Sequence, residues 1–388
     1  TLNDTFAKYF AKNLNEIGSL YFTKEAFVGT YPGYGSSYPD LQGGLALLFE
    51  QASPRGHVQS TPTGDITFAF TIRNQYTSSM ATVEAAVDNK DVLYNYQQSF
   101  FKSAISNANA SKTKGYVFGD DYDPNRVKAF IDKLLIHKIK VYELNGNLSV
   151  GGKTYTPGKA FVVPTAQPQY RMVQSVFETY NAYSDSVFYD ASAWSLANFY
   201  NMNYGPVTAS LRLGEEVTSL DDLVQVDDIE KSNYAYLMAW EDYNTPAALY
   251  YLLDHGVNVS SAFKPFSITA GDQPTNFGYG TLLFHLQRQS ISADSVYALL
   301  NEVKNRYLVQ PVPVSTGFSV SGIDLGSRNF RPVQKPEAMM LIGNGVSSYE
   351  AGEVWHLLDT RLHMPITKLK TDQFSRADLD KYNTIVLV

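Results

Sequence analysis

A carboxylate at the end of an apolar run occupies the position in this sequence that best suits chemistry. Glu50 follows Leu45-Ala46-Leu47-Leu48-Phe49 and precedes an irregular stretch that contains proline and glycine. A continuous apolar run of this length predicts a strand buried on both faces, and ligands of α/β folds collect where such strands end. Partial burial would raise the pKa of the Glu50 carboxyl and suit it to act as a general base on a metal-bound water. The alternative is a solvated carboxylate at a strand end.

The histidines do not predict a metal site. All six follow Glu50, at positions 57, 137, 255, 285, 356 and 363, and none has a glutamate three residues later. None pairs with another at the four-residue spacing that places two ligands on one helix face. His57 lies close to Glu50 in sequence, and it is interpreted either as a partner of that carboxylate or as a surface-loop histidine.

Nucleophilic and phosphate-binding signals are weak. The chain has no cysteine, which excludes thiolate chemistry and disulfides. It has no Gly-x-Ser-x-Gly elbow, and Ser36 and Ser37 have no neighbouring base in the sequence. The triplet Gly343-Asn344-Gly345 fits either an anion cradle before a helix or a plain tight turn.

Composition excludes some classes of partner. The chain has 388 residues, of which 44% are hydrophobic and 18% are charged, as expected for a globular protein of two or three domains. A net charge of −7 argues against binding to nucleic acid or to an anionic membrane surface, and no apolar run is long enough for a membrane span. The 28 tyrosines and 22 phenylalanines indicate either a Tyr-rich core and surface or an aromatic groove for sugars or peptides.

Helices and strands alternate from Gly115 onward, after two helices predicted at 1–22 and 75–106. Asp123 and Pro124 are typical of a helix start between two strands. The same strand–helix order recurs over 234–314 and 336–388, although no internal repeat is strong enough to claim. The pattern predicts an α/β fold of mostly parallel sheet units with helices on both faces.

The loop before Glu50 carries a specific resemblance. The strings Tyr31-Pro32-Gly33-Tyr34-Gly35-Ser36-Ser37-Tyr38-Pro39-Asp40-Leu41 and Leu48-Phe49-Glu50-Gln51-Ala52-Ser53-Pro54-Arg55-Gly56 resemble the late part of carboxypeptidase A-like zinc peptidases of a bacterial branch. The segment 70–75 also resembles that branch, and weaker similarity continues at 122–124, 168–170 and 188–194. The region 233–388 resembles a glutamine amidotransferase-like α/β domain, which is expected to be non-catalytic here because the cysteine is missing.

The resemblance implies roles for particular residues. Glu50 matches the catalytic base of the family, and Tyr31, with Tyr34 as the alternate, matches the tyrosine that closes over the substrate. Arg55 and Arg73 are candidates to bind the substrate carboxylate, since guanidinium groups bind carboxylates bidentately; the alternative is a solvated or structural arginine. The zinc ligands of the family lie upstream of its glutamate, so zinc is expected in a longer protein and not in this chain.

These observations give a set of expectations. Residues 1–112 are expected to form the C-terminal portion of the zinc-carboxypeptidase-like domain, 113–232 a connecting α/β domain, and 233–388 the amidotransferase-like domain, cut at its C-terminus. The expected function is hydrolysis of peptide or cell-wall peptide amide bonds by a secreted or periplasmic parent protein. The alternative is a non-catalytic α/β module that binds a peptide or glycan. Because an exposed strand edge tends to pair, the chain is also predicted to form a homodimer through the Leu45–Phe49 edge. The alternative is that this region forms a short helix–strand–helix layer docked on the α/β region.

Overall fold

The computed structural model describes residues 2–23, 31–179 and 195–388. The chain divides into two compact units. The first comprises residues 1–120 and 130–218, and the second comprises residues 121–129 and 219–388. Each unit contains a five-stranded sheet.

A helical layer opens the first unit. Its elements are α1 (Leu2–Glu16), α2 (Tyr38–Leu41), β1 (Val58–Thr61), β2 (Gly64–Thr67), α3 (Phe68–Asp88) and α4 (Lys90–Ala110). Phe6, Phe10 and Leu14 of α1 are buried with Ala81 and Ala85 of α3, so small residues on α3 let the two helices approach closely. The single helix predicted for 75–106 is wrong, because α3 begins earlier and the helix breaks at Asn89, whose side chain bonds the Ala85 carbonyl oxygen at 2.8 Å.

The sheet of the first unit is antiparallel throughout. The elements that follow α4 are β3 (Gly115–Gly119), α5 (Pro124–Ile136), β4 (Tyr142–Leu144), β5 (Leu148–Val150), β6 (Lys153–Tyr155), β7 (Ala160–Pro164), α6 (Tyr170–Phe177), α7 (Leu196–Phe199), β8 (Asn203–Val207) and β9 (Leu213–Glu216). The strand order is β8-β3-β7-β4-β9, and each neighbouring pair is antiparallel. Strands β3 and β7 are buried over their whole length, while β5 and β6 form a separate hairpin.

The second unit contains a sheet of the same kind. Its elements are β10 (Ala235–Met238), α8 (Thr245–Asp254), β11 (Val259–Ala262), β12 (Phe266–Ala270), β13 (Gln273–Phe277), β14 (Leu282–His285), α9 (Ala293–Tyr307), β15 (Val312–Val314), β16 (Ser321–Gly322) and β17 (Phe330–Val333). The strand order is β15-β10-β14-β11-β17, again antiparallel at each pairing. Strand β12 pairs with β13 and β16 outside this sheet.

The two sheets therefore share one topology. Strands β3, β4, β7, β8 and β9 correspond in chain order, sheet position and direction to β10, β11, β14, β15 and β17. The hairpin β5–β6 occupies the same place in the chain order as β12–β13, and helices α5 and α6 the same places as α8 and α9. The second half of the α/β region repeats the topology of the first, a repeat that sequence patterning did not detect.

One side-chain contact recurs at the same place in both sheets. Gln167, three residues after β7, accepts a hydrogen bond from the Lys140 backbone N–H at 2.8 Å and donates to the Lys140 carbonyl at 3.3 Å. Gln289, four residues after β14, makes the same two bonds with Asn258, both at 2.8 Å. Each glutamine thus ties the end of the return strand to the residues that enter the next strand of the sheet.

Helices α5 and α8 also end alike. Lys138 has φ 59° and Gly256 has φ 77°, the left-handed conformation that commonly terminates helices. After each, an apolar residue donates its backbone N–H back into the helix, from Ile139 to Leu134 and from Val257 to Leu252, both at 3.0 Å. The two caps are equivalent, although only the second has the glycine that this conformation favours.

The prediction of mostly parallel sheets is not confirmed, and the insertion of return strands explains why. Strands β3 and β4, joined through α5, are parallel to each other, but β7 lies between them and is antiparallel to both. Strand β14 separates β10 from β11 in the same way. The broader prediction of a mixed α/β protein is confirmed.

A parallel sheet does occur at the end of the described chain. It consists of β18 (Ala338–Ile342), β19 (Ile366–Lys370) and β20 (Thr384–Val386), with β18 in the centre. Helix α10 (Ser348–His356) continues into a π-helical turn at Leu357–Arg361 and connects β18 to β19.

Candidate functional site

The segment that carries Glu50 is not the predicted strand. Residues 44–54 are neither helical nor paired in a sheet. Instead, the Ala46 backbone N–H donates to the Asp40 carboxylate at 2.9 Å. Leu45 and Leu47 are half-buried against the cluster that Phe6 forms with α3. The apolar side chains of this segment thus pack against helices. Within the described residues, no strand pairs with it by backbone hydrogen bonds.

Glu50 itself is exposed, so the expected partial burial is wrong for this chain. It makes no hydrogen bond or ion pair with any part of the chain that the structure describes. The residues on both sides are nevertheless held. The Phe49 ring meets the Phe10 ring edge-on with centroids 4.7 Å apart, and the Gln51 side chain accepts a hydrogen bond from the buried Asn74 amide at 2.9 Å. Glu50 is therefore an exposed carboxylate between two residues whose side chains are held in place.

The structure brings the two candidate tyrosines together. The rings of Tyr31 and Tyr34 meet at 90° with centroids 5.2 Å apart, and both residues are half-buried. Gly33 permits this turn, since a side chain there would collide with the Tyr31 ring. Neither tyrosine hydrogen-bonds Glu50, so the structure does not join these three candidates into one cluster.

The candidate arginines belong to two different elements. Arg55 begins the 3-10 turn Arg55–His57 and is exposed. Arg73 is exposed on α3, where its guanidinium lies 3.4 Å from the Asn74 side-chain oxygen and 5.1 Å from the centre of the Phe70 ring. His57 contacts the Phe68 ring at 5.8 Å and is exposed, which favours the interpretation as a surface histidine.

A half-buried carboxylate that sequence reasoning missed lies in the second unit. Asp242 accepts two hydrogen bonds from the Asn125 amide, at 3.0 and 2.8 Å, and one from the Asn244 backbone N–H at 2.8 Å. Burial is the main cause that raises the pKa of Asp242 to about 6, and the nearby Asp123 carboxylate adds to it. Its position three residues before Thr245, where α8 begins, was the available signal, because Asp123 stands at the corresponding helix start before Pro124.

The second unit also contains a cleft whose charged residues are paired with one another. A cleft of about 340 Å³ is lined by Tyr250, Asp254, Lys335, Glu337 and His363 among others. Its central ammonium is already engaged, since Lys335 lies 2.9 Å from Asp254 and 3.3 Å from Glu337. Those two carboxylates raise the pKa of Lys335.

The Gly343-Asn344-Gly345 triplet is a tight turn, as one of its two interpretations predicted. Both glycines have positive φ, 98° and 81°, and the Val346 backbone N–H closes the turn onto the Gly343 carbonyl at 3.0 Å. The start of α10 is capped internally, because the Ser347 hydroxyl accepts from the Glu350 backbone N–H.

Among the residues that the structure describes, no group of three or more His, Asp or Glu side chains is arranged to hold a metal ion. No described helix has the length and apolar character needed to cross a membrane. Residues 188–194, part of the weaker resemblance, lie outside the described residues. No protein-family model, curated protein or solved structure matches the chain.

Proposed function

We propose that this chain is the later portion of a zinc-dependent metallocarboxypeptidase and that Glu50 is its general base. The proposal is supported by the motif from Tyr31 to Gly56, which resembles that family. The observation that carries it is that motif, in which Glu50 takes the place of the family's catalytic base, between the anchored neighbours Phe49 and Gln51. Glu50 is exposed in this chain, so the burial that suits a general base would have to come from the rest of the parent protein.

The residues of this chain do not fit a zinc site. Its histidines are scattered after Glu50, and the described carboxylates form no ligand cluster with them. Zinc would therefore be held by residues outside this sequence, in a secreted or periplasmic parent protein, and the isolated chain would be inactive. In the proposed reaction Glu50 takes a proton from the attacking water and returns it to the leaving amine.

The other proposed roles concern substrate binding. Tyr31, or Tyr34 in its place, closes over a peptide or cell-wall peptide. Arg55 and Arg73 are both exposed and supply guanidinium groups for the substrate carboxylate. Arg55→Ala and Arg73→Ala identify which arginine binds this carboxylate. The variant that removes the binding guanidinium is expected to raise KM, because a substrate contact is lost.

The test compares Glu50→Gln with the matched change Glu16→Gln, which alters an exposed glutamate on α1. Both are made in the longer polypeptide that the proposal requires, and peptide hydrolysis and bound zinc are measured. Glu50→Gln should lower kcat by about 10²–10⁴-fold, the usual contribution of a general base, with zinc content unchanged. Full activity of Glu50→Gln, or hydrolysis that persists after zinc removal, would contradict the proposal.

A second candidate function is a non-catalytic α/β module that binds a peptide or glycan. It is favoured by the carboxylates near the helix starts of the α/β region, because both are engaged in structural hydrogen bonds and not in a catalytic arrangement. Asp123 accepts from the Arg126 backbone N–H at 2.9 Å at the start of α5, and Asp242 is held by Asn125. Absence of a His-x-x-Glu pair from the upstream reading frame, together with peptide binding by the chain without hydrolysis, would select this function.

A further inference from the structure

Helix α3 presents a face of large apolar side chains that are each at least half exposed. Its large apolar side chains follow one another at intervals of four, four, four, three and four residues, which places them on one side of a helix. Each is 50–65% exposed. They are Phe68, Ile72, Tyr76, Met80, Val83 and Val87. We call this set the α3 stripe.

The opposite side of α3 is already used. Its small residues Ala81 and Ala85 are fully buried against α1. A helix at the surface of a globular protein has one apolar side toward the core and a polar side toward water. Helix α3 has small buried residues on one side and large exposed apolar residues on the other, as expected for a helix that lies between two packing partners.

We propose that the α3 stripe is covered by the same stripe of a second copy of this chain, with the two helices antiparallel. The stripe reads nearly the same in both directions. In an antiparallel pair centred near residue 78, Phe68 lies level with Val87 of the second copy, Ile72 with Val83, and Tyr76 with Met80. Each facing pair then consists of two apolar residues. The same set of residues serves both copies, as the self-complementary interface of a two-fold dimer requires.

The charges beside the stripe fit this arrangement. By the 100° turn per residue of a helix, Arg73 and Glu84 lie on the same flank of the stripe. Antiparallel pairing brings Arg73 of one copy level with Glu84 of the other on that shared flank. Glu84 already accepts from Lys12 at 2.8 Å and Asn13 at 3.0 Å, and Arg73, exposed at the flank, would add a guanidinium to this polar rim.

The size of the stripe is also appropriate. With aromatic side chains contributing the largest areas, the exposed parts of the six residues amount to roughly 600 Å² per copy, at the upper limit for an apolar patch on a monomer. Two copies together would bury about 1,200 Å², the lower limit of stable specific interfaces. The dimer is therefore expected to be concentration-dependent.

The first test measures the mass of the 388-residue chain by sedimentation velocity over a range of concentrations. The wild type is compared with Val83→Glu in the stripe and Val320→Glu, a matched change at a valine 59% exposed in the second unit. The proposal expects a reversible dimer for wild type and Val320→Glu, and at least a tenfold larger dissociation constant for Val83→Glu. A monomeric wild type, or equal weakening by both variants, would overturn it.

The second test checks the antiparallel register. Because the chain has no cysteine, a double variant Ile72→Cys with Val83→Cys adds the only two thiols. Within one helix these positions are about 16 Å apart, too far for a disulfide, but the register places each beside the other residue of the second copy. The double variant should cross-link on mild oxidation while each single variant does not. Equal cross-linking by single and double variants would indicate non-specific association and refute the register.

Discussion

Replacing Gln167 by alanine should destabilise the first unit more than any exposed substitution. The side chain is 2% exposed and makes three hydrogen bonds. It accepts from the Lys140 backbone N–H at 2.8 Å, and it donates to the carbonyls of Lys140 at 3.3 Å and Pro164 at 2.7 Å. The alanine variant leaves these backbone groups unpaired beside a newly opened space.

The magnitude follows from the number of groups left unsatisfied. Each buried polar group without a partner costs about 1–3 kcal/mol, and the 3.3 Å bond is the weakest of the three. We therefore expect Gln167→Ala to lower the free energy of unfolding by roughly 3 kcal/mol. The same change at Gln289 should cost about 1 kcal/mol, because that residue is only half-buried and water can replace its bonds to Asn258.

Urea unfolding monitored by circular dichroism and tryptophan fluorescence provides the assay, with Gln97→Ala as the control at an exposed position of α4. The control should remain within about 0.5 kcal/mol of wild type. The reasoning would be refuted if Gln167→Ala lowered the free energy of unfolding by less than about 0.5 kcal/mol, or if Gln289→Ala lowered it more than Gln167→Ala. Either result would mean that burial of the glutamine side chain does not determine its contribution to stability.

Two further predictions concern pH and helix ends. Burial raises the pKa of Asp242 from 3.8 to about 6. As pH falls, the folded state therefore binds this proton before the unfolded state does. The free energy of unfolding of the wild type consequently rises as pH falls from above 6 toward 4. The stability of Asp242→Asn relative to wild type in urea unfolding should therefore fall by roughly 1–2 kcal/mol between pH 7.5 and pH 4.5. A difference between the two proteins that is independent of pH would contradict this. Lys138→Gly should raise and Gly256→Lys should lower the unfolding free energy, each by about 1 kcal/mol, because both sites require positive φ; calorimetric melting temperatures that shift in the same direction would contradict it.

The elements of the α/β region were largely predictable from sequence, whereas the sheet order was not. Asp123 and Pro124 predicted the start of α5, and the helix begins at Pro124. The order strand–helix–strand was also correct, but it does not specify whether a later strand enters between the first two. Strand β7 does so after the hairpin β5–β6, and short apolar runs carry no signal for direction.

The region around Glu50 shows a different limit of sequence reasoning. An apolar run ending in a carboxylate is compatible with a buried strand and with a segment packed on helices, because both satisfy the same side chains. The described structure takes the second solution: Leu45 and Leu47 pack against the α1–α3 cluster. What sequence could not supply is the identity of neighbouring strands, which depends on contacts between distant parts of a polypeptide.

The internal repeat helps to distinguish residues that stabilise the fold from residues that the fold does not explain. Gln167 and Gln289 make the same contact in two sheets, so the fold is a sufficient explanation for both. Glu50 and the α3 stripe have no counterpart in either copy of the repeat, and within the described chain neither a buried cluster nor a hydrogen-bond network accounts for them. Large exposed apolar faces usually mark interaction sites, whereas an exposed carboxylate is solvated and needs no protein partner. The α3 stripe is therefore the stronger of the two signals, and association is best sought on helix α3.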